Sequence, residues 1–211
     1  MTDQTLTTGR SLSEFTAQLA SAQPAPGGGG AAALAGALAA SLAAMAANVT
    51  AANPRYADRH DALATLAASC DAQRTTLLAL IDADAAGFLP LQRAYAIPKD
   101  DPTRAARLAD AAHTACLAPL AMLEHCEQVA LLLPAALSTA SPLLRSDIGC
   151  AAALCSAAAE AAELNVLVNT GLLAPDDRTA NEARAARLRA TVVQCCAQTS
   201  DAVRAALRGE G

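Results

Sequence analysis

The sequence predicts an all-α fold, an antiparallel bundle of five or six long helices around a central alanine-rich helix, in a single domain over residues 1–211. Three observations favour this class. Alanine and leucine, the strongest helix formers, dominate the composition, and aromatic residues make up only 2% of the chain. The segment from Ala31 to Ala47 carries no charge and is typical of one buried helix. Because an alanine buries little apolar surface, we also expect an oligomer, whose subunit interface adds buried area.

The helices are delimited by capping residues, glycine and proline. Ser11 followed by Glu14 is a capping box, which starts the first helix. Loops are predicted where glycine and proline cluster, and bends near Pro90 and Pro119, where the backbone lacks a donor. The predicted helices span about residues 11–21, 30–49, 56–96, 103–133, 146–173 and 175–208.

The helix predicted over residues 30–49 is expected to lie at the centre, surrounded by the others. Its small residues recur every four positions, which gives a flat face that lets other helices approach closely. A membrane span is the alternative interpretation, because Ala31–Ala47 is uncharged. That run is about 17 residues long, at the lower limit for crossing a bilayer, and alanine makes it only weakly apolar. We therefore expect no membrane partner.

Composition excludes several classes of function. The net charge is −5 and there is no tryptophan, and the chain has no basic run, so nucleic acid is not expected as a partner. The seven cysteines form no CxxC pair, which favours reduced thiols in a cytoplasmic protein. The first ten residues lack the basic region and apolar core of an export signal. Cytoplasmic localisation is the prediction.

No metal or cofactor is predicted. His113 and Cys116, three residues apart on a helix, are able to supply two metal ligands. The chain has no second pair with metal-ligand spacing, however, so a zinc site is not expected. Dinucleotide and P-loop fingerprints are also absent from the sequence.

Four consecutive glycines, Gly27, Gly28, Gly29 and Gly30, precede the central helix. Glycine lets the backbone approach a ligand closely, and a helix start presents unpaired N–H groups and the positive end of the helix dipole. The loop is therefore a candidate site for a carboxylate or a phosphate. The alternative is a flexible loop before a buried helix.

Two carboxylates, Asp82 and Asp84, lie in an otherwise apolar helical segment. Since residues two apart point to different faces, at most one of them is expected to face a shared site. Desolvation raises the pKa of a carboxylate on an apolar face, which suits acid–base chemistry near neutrality. The alternative is a solvated acidic face. Lys99, in the turn that follows, is a candidate for binding a substrate carboxylate, although a lysine in a turn is commonplace.

Polar residues also mark the helix predicted over residues 146–173. Asn165 and Asn169 are four residues apart and share one face, where their amides suit a heterocycle that both donates and accepts hydrogen bonds. An amide pair with a structural role between helices is the alternative. Asp147 follows Ser146 at the predicted helix start, where either residue would serve as an N-cap.

The order of these motifs resembles that of the cyclodeaminase/cyclohydrolase family. The segment PAPGGGGAAALAGAL at residues 24–38 is similar to the segment that opens this family. The motifs that follow, in the family's order, are DADAAGF, AIPK, APL, SD and LNVLVN. The resemblance covers roughly residues 11–200.

The resemblance implies an all-helical homodimer that acts on a one-carbon derivative of tetrahydrofolate. It implies hydrolysis of 5,10-methenyltetrahydrofolate to 10-formyltetrahydrofolate, because the chain lacks a formiminotransferase half and its glycine loop looks nearer to the stand-alone cyclohydrolases. Cyclisation of formiminotetrahydrofolate with release of ammonia is the alternative. Asp84, or otherwise Asp82, is expected to be catalytic. The residues expected to bind substrate are Gly27, Gly28, Gly29, Gly30, Lys99, Asp147, Asn165 and Asn169.

Two departures from the family pattern keep a non-catalytic folate-binding or scaffold protein open as a further alternative. Family members commonly carry a lysine-rich segment after the central helix, where this chain has only Arg55 and Tyr56. The Gly-Asn pair usually found before Ser-Asp is replaced by the sequence around SPLLR. Both changes affect the expected anchoring of the folate glutamate tail.

Overall fold

A computed structural model describes residues 7–209 of the chain. Within that range the chain forms six α-helices and three short 3-10 helices, without a strand, and this confirms the all-α class. The 3-10 helices are Thr7–Gly9, Pro54–Arg59 and Pro142–Leu144. The α-helices are α1 (Leu12–Leu19), α2 (Gly28–Ala51), α3 (His60–Tyr95), α4 (Arg104–Thr139), α5 (Arg145–Thr170) and α6 (Pro175–Arg208).

Local signals place most helix boundaries. Ser11 caps α1 as predicted, because its Oγ accepts from Glu14 N at 3.2 Å and Glu14 Oε2 accepts from Ser11 N at 2.8 Å. The main error is the end of α4, which lies six residues beyond the predicted Leu133 and includes Pro134. Leu133 is fully buried, so core packing outweighs the donor that the proline removes.

Helix α2 lies at the centre of the bundle and packs against α3, α4 and α5. Small residues make this approach possible: a Cβ on Gly36 would lie 3.1 Å from Cys126 Sγ. One face of α2 is nevertheless open, so the expectation that the other helices surround it is wrong on that side. The large residues of this open face recur every three or four positions and are Leu34, Leu38, Leu42, Met45 and Val49.

Among residues 7–209, three helical segments are long and apolar enough to cross a membrane, judged by length and composition alone. They are Gly28–Ala51, Arg104–Thr139 and Pro142–Thr170. In this fold the three pack against one another and account for most of the core. The expectation of no membrane partner stays a prediction.

Because consecutive long helices run antiparallel, their termini collect at the two ends of the bundle. The cleft end contains the start of α2, the end of α3, the start of α4 and the end of α5. The opposite end contains the other terminus of each of these helices. A 24-residue helix such as α2 separates the two ends by about 36 Å.

Candidate active site

A cleft of about 260 Å³ opens at the cleft end, between the segment before α2 and the faces of α3 and α5. Its floor includes Ala115 of α4. The polar groups in its wall come from three separate elements of the chain. The residues that line it are Pro24, Ala25, Gly27, Gly28, Gly29, Asp84, Ala85, Phe88, Leu91, Tyr95, Ala115, Asn165, Val168 and Asn169.

Asp84 lies directly against the start of α2. A Cβ added to Gly29 would lie 2.3 Å from Asp84 Oδ1, so only glycine leaves room for the carboxylate at this position. The Asp84 carboxylate accepts no hydrogen bond from any residue in the range 7–209. Burial raises the pKa of Asp84, because desolvation disfavours the charged form. The protein thus holds, at the wall of a cleft, a carboxylate whose affinity for a proton is higher than that of a solvated one.

The glycine loop contributes backbone to the same wall. Gly27 is the N-cap of α2, and the first intrahelical bond runs from Ala31 N to Gly27 O at 3.1 Å. The N–H groups of the three glycines in the first turn therefore have no acceptor within the helix. Gly30 differs from the others because it is packed against Pro26, where a Cβ would lie 3.1 Å from the ring. Of the four glycines, Gly27, Gly28 and Gly29 line the cleft and Gly30 does not.

Asn165 and Asn169 both line the cleft, one turn apart on α5. Each amide donates one hydrogen bond to the carbonyl four residues earlier, Asn165 Nδ2 to Ala161 O at 2.8 Å and Asn169 Nδ2 to Asn165 O at 2.9 Å. These bonds orient the side chains. A Cβ on Gly28 would lie 3.3 Å from Asn165 Nδ2, so α5 and the glycine loop approach closely here. The amide oxygens are left to act as acceptors for a ligand.

Asp82 lies away from the cleft. Its Oδ1 accepts from Thr7 N at 2.6 Å and its Oδ2 accepts from Thr8 Oγ1 at 2.8 Å, so it holds the short 3-10 helix against α3. The expectation that the two carboxylates face different sides is therefore met, with Asp84 on the cleft side. Asp82 as the alternative catalytic residue stays a prediction that this geometry does not favour.

Lys99 and Asp147 are also outside the cleft. Lys99 lines a neighbouring crevice just beyond the end of α3. Asp147 is in the first turn of α5 at the opposite end of the bundle, eighteen residues from Asn165 and thus about 27 Å away along the axis. The N-cap of α5 is Leu144, so the expectation that Ser146 or Asp147 caps this helix is wrong.

Sequence reasoning missed the apolar walls of the cleft. Phe88, Leu91 and Tyr95 follow Asp84 on one face of α3, and Val168 faces them from α5. Phe88, Leu91 and Tyr95 lie four, seven and eleven residues after Asp84, and this helical spacing is the signal that would have found them. Tyr95 and Val168 are 52% and 73% exposed, which is unusual for side chains of this size next to a core.

Residues 7–209 contain no cluster of three or more His, Cys, Asp or Glu side chains able to hold a metal. His113 is exposed, whereas Cys116 is buried and its pKa is raised to about 11 by desolvation. All seven cysteines are free thiols. The expectation that the protein uses no metal or cofactor stays a prediction.

The chain is similar to a known protein family and to individual proteins of known activity. A model of the family described as formiminotransferase-cyclodeaminase matches residues 11–189. A methenyltetrahydrofolate cyclohydrolase from Methylorubrum extorquens is 33% identical over 187 residues, which is 87% of this chain and 89% of that protein. A formimidoyltransferase-cyclodeaminase from Sus scrofa is 33% identical over 165 residues, but the match spans only 30% of its length.

The fold is also similar to a solved structure. The crystal structure of formiminotetrahydrofolate cyclodeaminase from Thermotoga maritima superposes with a TM-score of 0.82 and 26% sequence identity. The match covers 95% of this chain and 96% of that one. The whole helical arrangement, rather than a local motif, is therefore shared.

Proposed function

Because the chain belongs to the formiminotransferase-cyclodeaminase family, we propose that it is a methenyltetrahydrofolate cyclohydrolase, which hydrolyses 5,10-methenyltetrahydrofolate to 10-formyltetrahydrofolate. The bacterial relative of that name matches nearly the full length of both chains. The observation that carries the proposal is Asp84, a desolvated carboxylate without a hydrogen-bond partner among residues 7–209, at the wall of a cleft that also presents two amides and free backbone N–H groups.

The reaction needs a group that moves protons next to a cation. Water adds to the carbon that bridges N5 and N10 of the methenyl cation, and Asp84 takes one proton from that water as the C–O bond forms. Asp84 then returns the proton to N5 as the C–N5 bond breaks. The second proton of the water leaves to solvent as the formyl carbonyl forms on N10, so one proton is released overall.

Burial prepares Asp84 for both steps. A carboxylate whose pKa is raised toward neutrality accepts and donates a proton more readily than a solvated one. The cationic substrate favours the ionised form when it binds, because an opposite charge nearby stabilises the carboxylate. The carboxylate in turn stabilises the positive charge on the substrate, an interaction that a site shielded from water strengthens.

The other polar groups of the cleft orient the substrate. Asn165 and Asn169 offer amide oxygens that suit the donors of a reduced pterin, and the face of Phe88 and Tyr95 suits its aromatic ring system. The N–H groups at the start of α2 suit a carbonyl or an anion. Lys99 is assigned to the distal, anionic part of the substrate. No protein cofactor is needed for this chemistry.

The decay of methenyltetrahydrofolate absorbance on adding the purified protein tests the proposal. We expect an enzyme-dependent acceleration that is saturable in substrate. Absence of acceleration, together with ammonia release from formiminotetrahydrofolate, would assign the protein to the cyclodeaminase reaction, for which the structurally similar Thermotoga maritima protein is named. Absence of both activities, with no heat of folate binding by calorimetry, would make the protein a scaffold.

We also propose a cytoplasmic homodimer formed through the open face of α2. Leu38 and Val49 are 46% and 53% exposed on that face, and no charged residue lies between Glu14 and Arg55. A two-fold axis crossing α2 near its middle would bring the opposite end of a second copy beside this cleft. That arrangement would let Asp147 contribute to a site from which it is about 27 Å distant in its own subunit.

Light scattering tests the dimer. We expect the native chain to have twice its monomer mass of 21.2 kDa and the Leu38→Lys, Val49→Lys double variant to be monomeric. Leu207→Lys is the matched control, since Leu207 is 61% exposed on α6, which packs on α4 and α5 rather than on α2, and its substitution should leave the mass unchanged. A native monomer would refute this part of the proposal without affecting the assigned reaction.

A further inference from the structure

A second crevice lies beyond the cleft, next to the end of α3, the start of α4 and the turn after α5. Its residues from α4 share a face with Ala115 on the cleft floor, because Leu108 and Arg104 precede Ala115 by seven and eleven positions. Leu172 lies in the turn just after α5, where its N–H donates to Asn169 O at 3.2 Å, so the crevice also adjoins the α5 wall of the cleft. The crevice is lined by Lys99, Asp101, Arg104, Ala105, Leu108, Gly171 and Leu172.

Two cations face this crevice without a counter-ion. Neither Lys99 nor Arg104 forms an ion pair within residues 7–209. Arg104 Nε donates to Ile97 O at 2.9 Å, which fixes the plane of the guanidinium and leaves its terminal nitrogens to donate elsewhere. Asp101 lines the same crevice, but its Oδ1 accepts from Thr103 N at 2.8 Å and from Thr103 Oγ1 at 2.7 Å. The two cations and one carboxylate give the lining a net positive charge.

The distance from the reacting position suits a long substrate. Ala115 lies at the level of Gly87, three residues and thus about 4.5 Å along α3 from Asp84, since a Cβ on Gly87 would lie 3.5 Å from Thr114 O and 3.8 Å from Ala115 Cα. Arg104 is eleven residues from Ala115 and thus about 16 Å further along α4. A benzoyl group and one glutamyl residue, together with the long arginine side chain, span that distance. The apolar side chains of Leu91 and Tyr95 cover the intervening stretch.

Other cations of the chain are poorly placed for this role. Arg55 lies at the opposite end of the bundle, about 36 Å from the glycine loop. Arg93 and Arg107 line a groove on the other side of the α3–α4 pair, away from the faces that carry Asp84 and Ala115. Lys99 and Arg104 are the cations that line the crevice beside the cleft.

We infer that Arg104 binds a terminal carboxylate of the glutamate tail of the folate substrate, with Lys99 as the second cation of the same subsite. This assignment rests on the proposed function, because it takes the substrate to be a folate. A guanidinium binds a carboxylate through two parallel hydrogen bonds. The subsite thus selects substrates that carry an acidic amino-acid tail, and it contributes to binding rather than to the chemical step.

Steady-state kinetics of Arg104→Gln on two substrates test the inference. The substrates are methenyltetrahydrofolate and the methenyl derivative of tetrahydropteroate, which lacks the glutamate. For the variant we expect a KM about 10- to 100-fold higher on the folate, as for loss of a charged hydrogen bond, with kcat nearly unchanged. On the pteroate substrate the variant and the native protein should have equal KM. A structural defect would instead lower kcat on both substrates and overturn the inference.

Arg107→Gln is the matched control, since Arg107 is on the same helix but faces the outer groove, and we expect it to leave both KM values unchanged. Arg104→Lys should restore part of the affinity for the folate only. An unchanged KM for Arg104→Gln on the folate would overturn the inference while leaving the proposed reaction intact. If the native protein hydrolyses neither substrate, the proposed function fails first, and an unchanged calorimetric affinity of Arg104→Gln for tetrahydrofolate then overturns the inference separately.

Discussion

The two ends of the helical bundle use polar residues in opposite ways. At the opposite end, Thr50 Oγ1 accepts from Ser141 N at 2.8 Å and donates to Ala46 O at 2.7 Å, while Tyr56 OH donates to Ser141 Oγ at 3.3 Å. At the cleft end, the Asp84 carboxylate is partly buried and is not paired within residues 7–209. A satisfied buried group stabilises the fold, whereas an unsatisfied one lowers stability unless something else binds it. The comparison therefore assigns stability to one end and function to the other.

The largest expected effect is the loss of catalytic activity when Asp84 is substituted. Asp84→Asn removes the proton acceptor while keeping the size of the side chain, so we expect kcat/KM for methenyltetrahydrofolate to fall about 10²- to 10⁴-fold. Because a desolvated carboxylate is replaced by a neutral amide, the melting temperature should stay the same or rise. The measurements are initial rates and thermal unfolding.

Asp82→Asn is the matched control, two residues away on the same helix. It changes the contacts with Thr7 and Thr8, so we expect native kcat/KM and a small loss of stability. Equal losses of activity in the two variants would show that Asp84 has no special role. Loss of activity in Asp82→Asn alone would transfer the catalytic role to Asp82.

The second largest effect on activity is expected for Gly29, which lies against the Asp84 carboxylate. Gly29→Ala would place a methyl group 2.3 Å from Asp84 Oδ1, and the carboxylate, at the end of a rotatable side chain, must move away. We expect a folded protein whose kcat is lower by about 10-fold, because a displaced base loses its alignment with the water. Circular dichroism establishes folding, and initial rates give kcat.

Gly87→Ala is the corresponding control on α3. Its Cβ would meet Thr114 O at 3.5 Å, an ordinary contact, and alanine favours a helix by up to about 1 kcal/mol over glycine. Native activity with equal or higher stability is expected. Native kcat in Gly29→Ala would contradict the need for glycine next to the carboxylate.

At the opposite end the expected effect is on stability alone. Thr50→Val keeps the shape of the side chain but leaves Ser141 N, in a residue only 8% exposed, without its acceptor. We expect the free energy of unfolding to fall by about 1–3 kcal/mol, with native kcat and KM. Urea denaturation and initial rates measure both quantities.

Thr65→Val provides the reference, since the Thr65 hydroxyl is exposed and bonds to Asp61 O within its own helix. Its free energy of unfolding should change by less than about 0.5 kcal/mol. A loss of activity in Thr50→Val comparable to its loss of stability would contradict the division between the two ends.

The sequence predicted the helices more accurately than it predicted which residues meet at the candidate site. Alanine content, capping residues and proline positions are local signals, and they were enough to predict the order of all six α-helices. The contact between Asp84 and Gly29 joins residues far apart in the chain, and it was expected only because both matched a family pattern. The same pattern grouped Asp147 with Asn165, although about 27 Å of helix keeps the two at opposite ends. Order along a chain does not determine which residues meet once antiparallel helices fold back.

The smallest expected effect is the pH dependence of that same carboxylate. Burial raises the pKa of Asp84 in the folded protein above its ordinary value of 3.8. At a pH between 3.8 and the folded-state pKa, Asp84 is therefore protonated in the folded protein and ionised in the unfolded chain. The free energy of unfolding therefore decreases as pH rises from 3.8 through the folded-state pKa, and the contribution of Asp84 is constant above that value. Over the same interval kcat/KM should increase, since the ionised form accepts the proton of water.

Comparison with Asp84→Asn isolates this contribution from all other titrations. We expect the difference in free energy of unfolding, native minus variant, to become more negative as pH rises above 3.8 and to level off above the folded-state pKa, as measured by urea denaturation at constant ionic strength. Gly87→Ala, which leaves every carboxylate in place, should show no trend of this sign. A difference for Asp84→Asn that is flat, or that becomes more positive with pH, would mean that Asp84 is solvated or paired in the folded protein, and the cleft end would then resemble the opposite end.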